Sequence, residues 1–556
     1  MEGFDHERRG LSRRGLLTGA AVAAAASAVL VAEPAAATGS GLEGVVGGVT
    51  RPKNLRRIVD WSAAELSVAI KRRVVTCVEV MTAYLDQIDE FNPAVNAIVA
   101  LRPRSELLAE AREKDALLKR GSYQGWMHGF PQAVKDLANV EGLPTSAGFF
   151  RGAFAAAPAT ADSIFVERVR AAGAIFIGKT NTPEFGLGSN TYNEVYGTTF
   201  NAYDQTKSAG GSSGGAAVAL ALKMLPVADG SDFFGSLRNP PGWNNVYGLR
   251  PSFGRVPSTG PRPYETFVSQ GGTEGPLARN PLDLALMLET MSGYDPRQPL
   301  SIDSDLGDVR DLSANLRGKK VAWLGDLGGY FPMDPEVLTV TTAALSTFRS
   351  LGMSVTTLDD LPSITSTVGD GFAGKSDLWP TWLTFRHWIV GSGLSGLAAG
   401  TLGQYMKPEA IYEVEGVTVG ADGNAPISGL DAFNGSVTRT AMYRAFREQI
   451  FNTYDYVVLP TAQIFPFTVA GSDAINWPSS INGVEMSSYH RWMEVTAIGT
   501  LLNAPTIAMP AGFSASGLPI GLQAIGRNHD DMGVLRLAYA WDKKTRWTQR
   551  QPALLG

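Results

Sequence analysis

One cysteine, Cys77, and five histidines are all that 556 residues hold of the two side chains most used for thiol and metal chemistry. A single thiol rules out an intramolecular disulfide, even in a compartment that would permit one. Cys77 also falls inside an amphipathic helical pattern, where cysteine serves as a small apolar side chain. Beyond the N-terminal segment the histidines are His128, His387, His490 and His529, widely dispersed, with no HExxH and no cysteine cluster. A zinc site would lack its ligands, and neither a metal nor any other cofactor is expected. A basic excess is missing as well. The formal charge of -5 and pI of about 5.7 give no electropositive face, so no nucleic-acid partner is expected.

Long apolar runs are confined to the N-terminus. Arg8, Arg9, Arg13 and Arg14 precede the alanine-rich stretch from Gly15 to Val31, which leads to Ala35-Ala36-Ala37. This is the layout of a signal peptide over residues 1–37, and Ser12-Arg13-Arg14-Gly15-Leu16-Leu17 resembles a twin-arginine export motif. The expectation is an exported protein, extracellular or in the cell envelope, that keeps no membrane span once the signal is cleaved; an uncleaved anchor is the alternative. No other segment is long and apolar enough to span a bilayer.

The rest has the composition of a globular chain, 44% hydrophobic and 18% charged, with length enough for one large core or two. Residues 38–60 read as a linker, 61–545 as a single domain and 546–556 as a tail. Ser62 with Glu65, and Thr76 with Glu79, form capping boxes that start two helices, the second stopping at Asn92-Pro93. A third helix spans about Ser105 to Lys119.

From there strand and helix alternate, which predicts an α/β fold. Gly129 to Asp136 reads as a strand ending in Lys135, Ser163 to Ala172 as a helix, Ala174 to Ile177 as a buried strand, Ser212 to Leu222 as a helix and Met224 to Ala228 as a strand. Thr273 to Met291 reads as a helix on the core, Gly293 to Leu316 as a polar excursion, Lys320 to Leu324 as a strand, and a helix follows Asp334-Pro335.

Two literal motif matches fail on their context. Gly173 to Thr180 satisfies GxxxxGK[ST], but the residues between its glycines are strand-like rather than a phosphate-cradling loop. Gly210-Gly211-Ser212-Ser213-Gly214 satisfies GxSxG, yet a polar loop rather than an apolar strand precedes it, and no histidine sits in a motif of its own. His529, followed by Asp530 and Asp531, is the only arguable partner, and reads better as a surface histidine.

What remains is serine chemistry without histidine, centred on Lys207 to Ser252 with its clusters Ser212/Ser213 and Ser231/Ser236. A serine hydroxyl needs a group that takes its proton, and a lysine serves if burial or nearby positive charge keeps its amine neutral. Lys135 is a candidate; a salt bridge to Asp136 is the structural alternative.

The combination GFPQAVKDL, SAGGSSGGAAVALA, ADGSDFFGSLRNPP and YGLRPSFGRVP resembles the amidase signature family. The similarity continues through AAGAIFIGKTNTPEF, TEGPLARNPLDLALML, YDYVVLPTA and NAPTIAMPAGFSASGLPIGLQAIGR, and so covers about Trp61 to Trp541. The resemblance implies a large mixed, mostly doubly wound β-sheet covered by helices on both faces. It also implies a Ser-Ser-Lys triad, with Lys135 as base, Ser212 as proton relay and Ser236 as nucleophile, and a cis peptide bond between Gly211 and Ser212. Backbone N–H groups of Phe233, Phe234, Gly235 and Ser236 would form the oxyanion hole. Ser213 would support Ser212, Ser231 stands where the family has threonine, and Asp232 with Arg238 would steady the loop.

One position departs from the family. Phe234 replaces the first of two glycines before the nucleophile, which sets an aromatic ring beside the oxyanion hole. The segment of about 362–439, with Trp379, Trp382, Phe385, Trp388, Tyr405 and Tyr412, also departs in texture. Such a region covers the active site in the family, which would favour an apolar or aromatic substrate; aromatic packing in a helical core is the alternative. The expected activity is hydrolysis of a small-molecule carboxylic amide, in a monomer or a homodimer. The alternatives are a carbamate, ester or cyclic-amide hydrolase with the same triad, a component of an amidotransferase, or an inactive binding homologue.

Overall fold

Fifteen strands appear among the residues described by the computed structural model, which are 41–257, 266–365, 371–470 and 476–556. In chain order they are β1 (Ile98–Val99), β2 (Pro131–Lys135), β3 (Ile175–Thr180), β4 (Tyr192–Asn193), β5 (Gly197–Thr198), β6 (Ala228–Asp232), β7 (Tyr247–Arg250) and β8 (Thr273–Ala278). Then come β9 (Lys320–Trp323), β10 (Ser354–Thr357), β11 (Tyr456–Pro460), β12 (Ser480–Ile481), β13 (Val484–Glu485), β14 (Thr506–Phe513) and β15 (Pro519–Ile525). Eight of them form one sheet in the order β10-β9-β11-β15-β14-β7-β8-β6. The sheet is mixed, parallel among β10, β9 and β11 and antiparallel from β11 to β6. A second sheet, β1-β3-β2, carries the lysine strand, with β2 parallel to β3.

Helices cover both faces of the large sheet, as the alternation along its strands requires. On β11, Tyr456 and Val458 enter one apolar cluster while Val457 and Leu459 enter another. The first cluster takes in Leu284 and Leu288 of the Pro281–Met291 helix and Leu535 and Trp541 of the Asp531–Thr545 helix. The second takes in Trp382 of the Leu378–Arg386 helix and Ile498 of the Ala497–Leu501 helix.

Both predicted capping boxes are present, at Ser62/Glu65 and Thr76/Glu79. Several expectations need correction. The second of these helices runs through Pro93 to Val95, because its closure lies beyond the proline: Asn96 is left-handed at φ 52°, and the Asn92 side chain takes the N–H groups of Ala97 and Ile98 at 2.8 Å each. The strand expected at Met224 to Ala228 starts only at Ala228. Lys223 turns at φ 57° and Pro226 has no N–H for a ladder, so the polar residues that follow make the strand. Thr273 to Met291 divides into β8 and the Pro281–Met291 helix, because the Asn280 side chain caps the N–H of Asp283 and starts the helix there.

The strand predicted at Ala174 to Ile177 extends through Gly178, Lys179 and Thr180. The residues of the GxxxxGK[ST] match are therefore extended, and Lys179 is buried with its ammonium donating to the carbonyl of Ala138 at 2.5 Å. No phosphate loop exists there.

Part of residues 38–60 packs on the body. Leu42–Val46 is a short helix, Leu55–Asp60 a 3-10 turn, and Leu42, Ile58 and Val59 belong to the first apolar cluster. In residues 546–556 the Trp547 ring meets Phe513 at 5.9 Å and the Arg550 guanidinium lies 3.8 Å from its centroid. The expected signal peptide lies outside the described residues. Among the described residues no helix is long and apolar enough to cross a membrane.

Candidate active site

Lys135 is the last residue of β2, which delivers its ammonium into the interior, where 1% of the residue remains exposed. Three serine hydroxyls and a carbonyl surround it. Nζ lies 2.8 Å from Ser212 Oγ, 3.0 Å from Ser213 Oγ, 2.9 Å from Ser231 Oγ and 3.3 Å from the carbonyl oxygen of Ser231. Burial disfavours the charged form and brings the amine down to about 8, with Glu274, Asp229 and Asp232 acting against that shift. Lys135 and Asp136 form no salt bridge. The Asp136 carboxylate instead accepts from the N–H of Ser146 at 3.1 Å and from its hydroxyl.

Ser212 and Ser213 lie at the start of the Gly214–Ala221 helix, and the Gly211–Ser212 peptide bond is cis. Across β6 the two serine-bearing loops meet at Gly230. A Cβ there would come within 2.6 Å of Ser213 Oγ and 2.8 Å of the Leu237 side chain, so only glycine lets the loops approach. On its other side Ser212 faces the Glu184–Gly186 turn, where a Cβ on Gly186 would come 3.5 Å from its Oγ.

Ser236 sits in the turn between β6 and the Asn239–Trp243 helix. It is 7% exposed, and its hydroxyl makes no hydrogen bond among the described residues, with Ser212 or any other group. The turn is held from within by Asp232. Its carboxylate accepts from the N–H of Gly235 at 2.8 Å and of Leu237 at 3.0 Å, and from Arg238 Nε at 3.0 Å. Arg238 in turn donates to the carbonyl of Thr496 at 2.7 Å and to Gln523 Oε1 at 2.9 Å. Asp232 and Arg238 thus bolt the turn to the rest of the sheet and make no hydrogen bond to the lysine.

One expected donor is withdrawn by this arrangement. The Gly235 N–H is engaged with Asp232, so it is not free to meet a ligand. The N–H groups of Phe233, Phe234 and Ser236 make no hydrogen bond among the described residues and form the remaining set.

The Phe234 ring is 5% exposed and lies in the second apolar cluster. It stacks on Trp382 at 3.9 Å between centroids and 11° between planes, with Trp379 at 6.2 Å and His490 at 5.5 Å. Trp379, Trp382 and Phe385 of the 362–439 segment are buried, and their packing is that of a core. Tyr405 is exposed.

The histidines take no part. His128 Nε2 lies 3.0 Å from the carbonyl oxygen of Lys114, His387 beside Glu413 at 3.1 Å, and His490 Nδ1 3.2 Å from Ser488 Oγ, while His529 is exposed. No hydrogen bond joins any of them to Ser212 or Ser213, so the GxSxG reading falls. Cys77 is buried against the carbonyl of His128, and burial pushes its thiol up, as befits a structural residue.

A buried lysine amine ringed by serine hydroxyls, with a further serine in a turn that has three N–H groups unpaired among the described residues, is equipped for acyl transfer without histidine. Comparison with known proteins agrees. The family described as Amidase matches residues 79–372 and 431–535. The chain belongs to the amidase family. This amidase chain is 35% identical over 502 residues to the acylamidase of Rhodococcus erythropolis, covering 88% of this chain and 97% of the relative. It is 31% identical over 504 residues to a glutamyl-tRNA(Gln) amidotransferase subunit of Chloroflexus aurantiacus, covering 86% and 96%. Among solved structures, a bacterial aryl acylamidase of the amidase signature family superposes with a TM-score of 0.78 at 27% identity, over 88% of this chain and 97% of that one.

Sequence reasoning missed Asp229. Its carboxylate accepts from the main-chain N–H of Lys135 at 3.0 Å and from Gln132 Nε2 at 3.2 Å. It also missed Glu184, whose buried carboxyl, in the Glu184–Gly186 turn, is pushed up to about 7. Both lie in stretches that carry the family resemblance, Asp229 in ADGSDFFGSLRNPP and Glu184 in AAGAIFIGKTNTPEF, but residue type alone singles out neither.

Proposed function

We propose that this amidase hydrolyses the C–N bond of a carboxylic amide through an acyl-enzyme on Ser236, with Ser212 as proton relay and Lys135 as base. The observation that carries the reading is the buried Lys135 amine, brought down to about 8 and 2.8 Å from Ser212 Oγ.

The neutral amine of Lys135 takes the proton of Ser212 while Ser212 takes that of Ser236. The Ser236 oxygen adds to the carbonyl carbon, and the C=O electron pair moves onto oxygen, toward the N–H groups of Phe233, Phe234 and Ser236 that have no partner among the described residues. Collapse of the adduct breaks the C–N bond, and the leaving nitrogen receives its proton back along the same path. Water then repeats the sequence on the ester and regenerates Ser236. Ser213 and Ser231 keep the amine oriented by sharing it.

Phe149, Phe150 and Phe185 support an apolar or aryl acyl group. They lie 4.9–6.5 Å apart, and Phe185 precedes Gly186, where an added Cβ would come 3.5 Å from Ser212 Oγ. Residues 1–37 are read as an export signal; fractionation of the source cells should find the mature chain outside the cytoplasm.

The test is a panel of amides, each paired with the ester of the same acyl group, run on the purified chain and its Ser236→Ala and Lys135→Ala variants. Hydrolysis by the parent and near-complete loss in both variants is expected; retained activity in Ser236→Ala would refute the assignment. Preference within each amide and ester pair separates amidase from esterase. Ammonia release from glutamine alone would favour the amidotransferase reading.

A further inference from the structure

We infer that Trp382 is a positioning residue for the oxyanion turn: by clasping the rings of Phe233 and Phe234, it holds the main-chain N–H of Phe234, which no hydrogen bond ties among the described residues. The inference rests on the Ser236 acyl-enzyme reading above.

The turn is anchored unevenly. From Gly235 onward it is tied by hydrogen bonds, the N–H groups of Gly235 and Leu237 both donating to Asp232. The start of the turn is tied too, since Asp232 pairs with Thr273 of β8 and its carbonyl, in one peptide plane with the Phe233 N–H, accepts from Arg250 at 2.5 Å. Between these ties the peptide that carries the Phe234 N–H makes no hydrogen bond among the described residues, and rings supply its anchor instead. Phe234 stacks face to face on Trp382 at 3.9 Å, and Phe233 meets the same indole at 5.4 Å. One tryptophan therefore grips the residues on both sides of that peptide, which fixes the direction of the Phe234 N–H.

Trp382 is itself held firmly. It is 1% exposed on the Leu378–Arg386 helix, and the guanidinium of Arg386, one turn on, lies 5.8 Å from its ring and 5.4 Å from that of Phe233. Arg386 donates to Glu413 Oε1 at 2.8 Å and to the Tyr489 hydroxyl at 2.5 Å. The chain runs from Glu413 through Arg386 and Trp382 to the turn, and connects the 362–439 segment to the place where charge develops. Glycine at position 234 would have no ring for Trp382 to hold, so in this chain Phe234 and Trp382 make sense only as a pair.

A small misplacement of oxyanion donors costs one to two orders of magnitude in rate, whereas ground-state binding away from the turn is untouched. The experiment follows covalent labelling of Ser236 by a fluorophosphonate probe in the full chain and in its Trp382→Ala, Trp382→Phe and Phe234→Leu variants. Trp382→Ala is expected to label about ten- to a hundredfold more slowly while still reaching one adduct per chain. Trp382→Phe should recover most of the rate, and Phe234→Leu, a milder cut, should fall between. On any amide the parent hydrolyses, Trp382→Ala should lower kcat with KM little changed. A lower labelling endpoint at unchanged rate would mean misfolding only and would overturn the inference, as would a wild-type rate in Trp382→Ala. If the parent chain forms no adduct on Ser236, the acyl-enzyme reading fails first, which separates the two failures.

Discussion

The main-chain N–H of Lys135 donates to the Asp229 carboxylate at 3.0 Å, across a seam where β2 and β6 share no ladder. The same carboxylate accepts from Gln132 Nε2, so one side chain does for two strands what backbone pairing does elsewhere. Asp229 is 1% exposed, and burial pushes its carboxyl up. It sets the depth at which the catalytic candidate Lys135 leaves its strand.

Asp229→Ala should therefore lose stability and activity together. The substitution strands the Lys135 N–H and the Gln132 amide in a buried seam, at about 1–3 kcal/mol for the unsatisfied groups. Asp229→Asn should be milder, because its carbonyl still accepts from Lys135, and a flip of the Gln132 amide lets Oε1, which has no partner among the described residues, accept from the new amide in place of the bond now donated by Nε2. Urea unfolding and kcat of both variants check this; equal losses in the two would disprove it.

Activity should rise with pH. Lys135 acts as a base only when neutral, and its amine is brought down to about 8, so kcat/KM is expected to climb about tenfold per unit below that value and level off above it. The stability effect has the same sign. A depressed lysine binds its proton more readily in the unfolded chain, so stability gains as pH rises from about 8 toward the unfolded value near 10.4. A pH–rate profile that falls between pH 7 and 9 would contradict the role.

Helix starts and the lysine strand could be read from the sequence because their signals are local. Ser62 and Thr76 cap helices with a glutamate three residues on, and the apolar residues before Lys135 announce a strand. The lysine and the two central serines followed from motifs carried by the family resemblance. What stayed hidden is set by distant partners. β6 consists of Ala-Asp-Gly-Ser-Asp, polar residues that make a strand only because β8 lies beside them, and β8 itself reads in sequence as part of the helix that follows it. Asp229 meets Lys135 across 94 residues, and Phe234 finds Trp382 in a segment with no family pattern to place it. The ring at 234, which the sequence set beside the oxyanion hole, turns out to be packed into the core.

Asp232 carries two buried guanidinium groups, Arg238 at 3.0 Å and Arg250 at 3.4 Å, with all three side chains at 0% exposure. Its removal leaves two cations without their shared anion. Asp232→Ala should cost about 3–5 kcal/mol, the range for breaking a buried pair from one side. The arginines hold this carboxyl well below the usual carboxylate range. A depressed carboxyl gives stability that is present above its unfolded value, near 3.9, and is lost as pH falls from there through the folded value. Wild-type protein should accordingly lose stability more steeply than Asp232→Asn as pH drops below about 4, which acid titration of unfolding free energy would register.

Gly235 lies between Phe234, whose N–H has no partner among the described residues, and the Ser236 nucleophile candidate, and its φ of 94° is one that L side chains rarely adopt. Space is short as well as conformation. A Cβ at this position would come 2.8 Å from Thr496 Cγ2 and 3.0 Å from Met493 Cε, both on the segment that Arg238 binds through the Thr496 carbonyl. Gly235→Ala must therefore either push that segment away or rotate the turn, and rotation breaks the Gly235 N–H bond to Asp232. Either way the donors beside Ser236 move, so kcat should fall by about a hundredfold while the fold survives with a loss of about 1–3 kcal/mol. A fluorophosphonate labelling rate measured beside a thermal melt separates the two effects. A variant that melts like the parent and labels at the parent rate would show that the turn tolerates a side chain here, and that its geometry is not what fixes the donors.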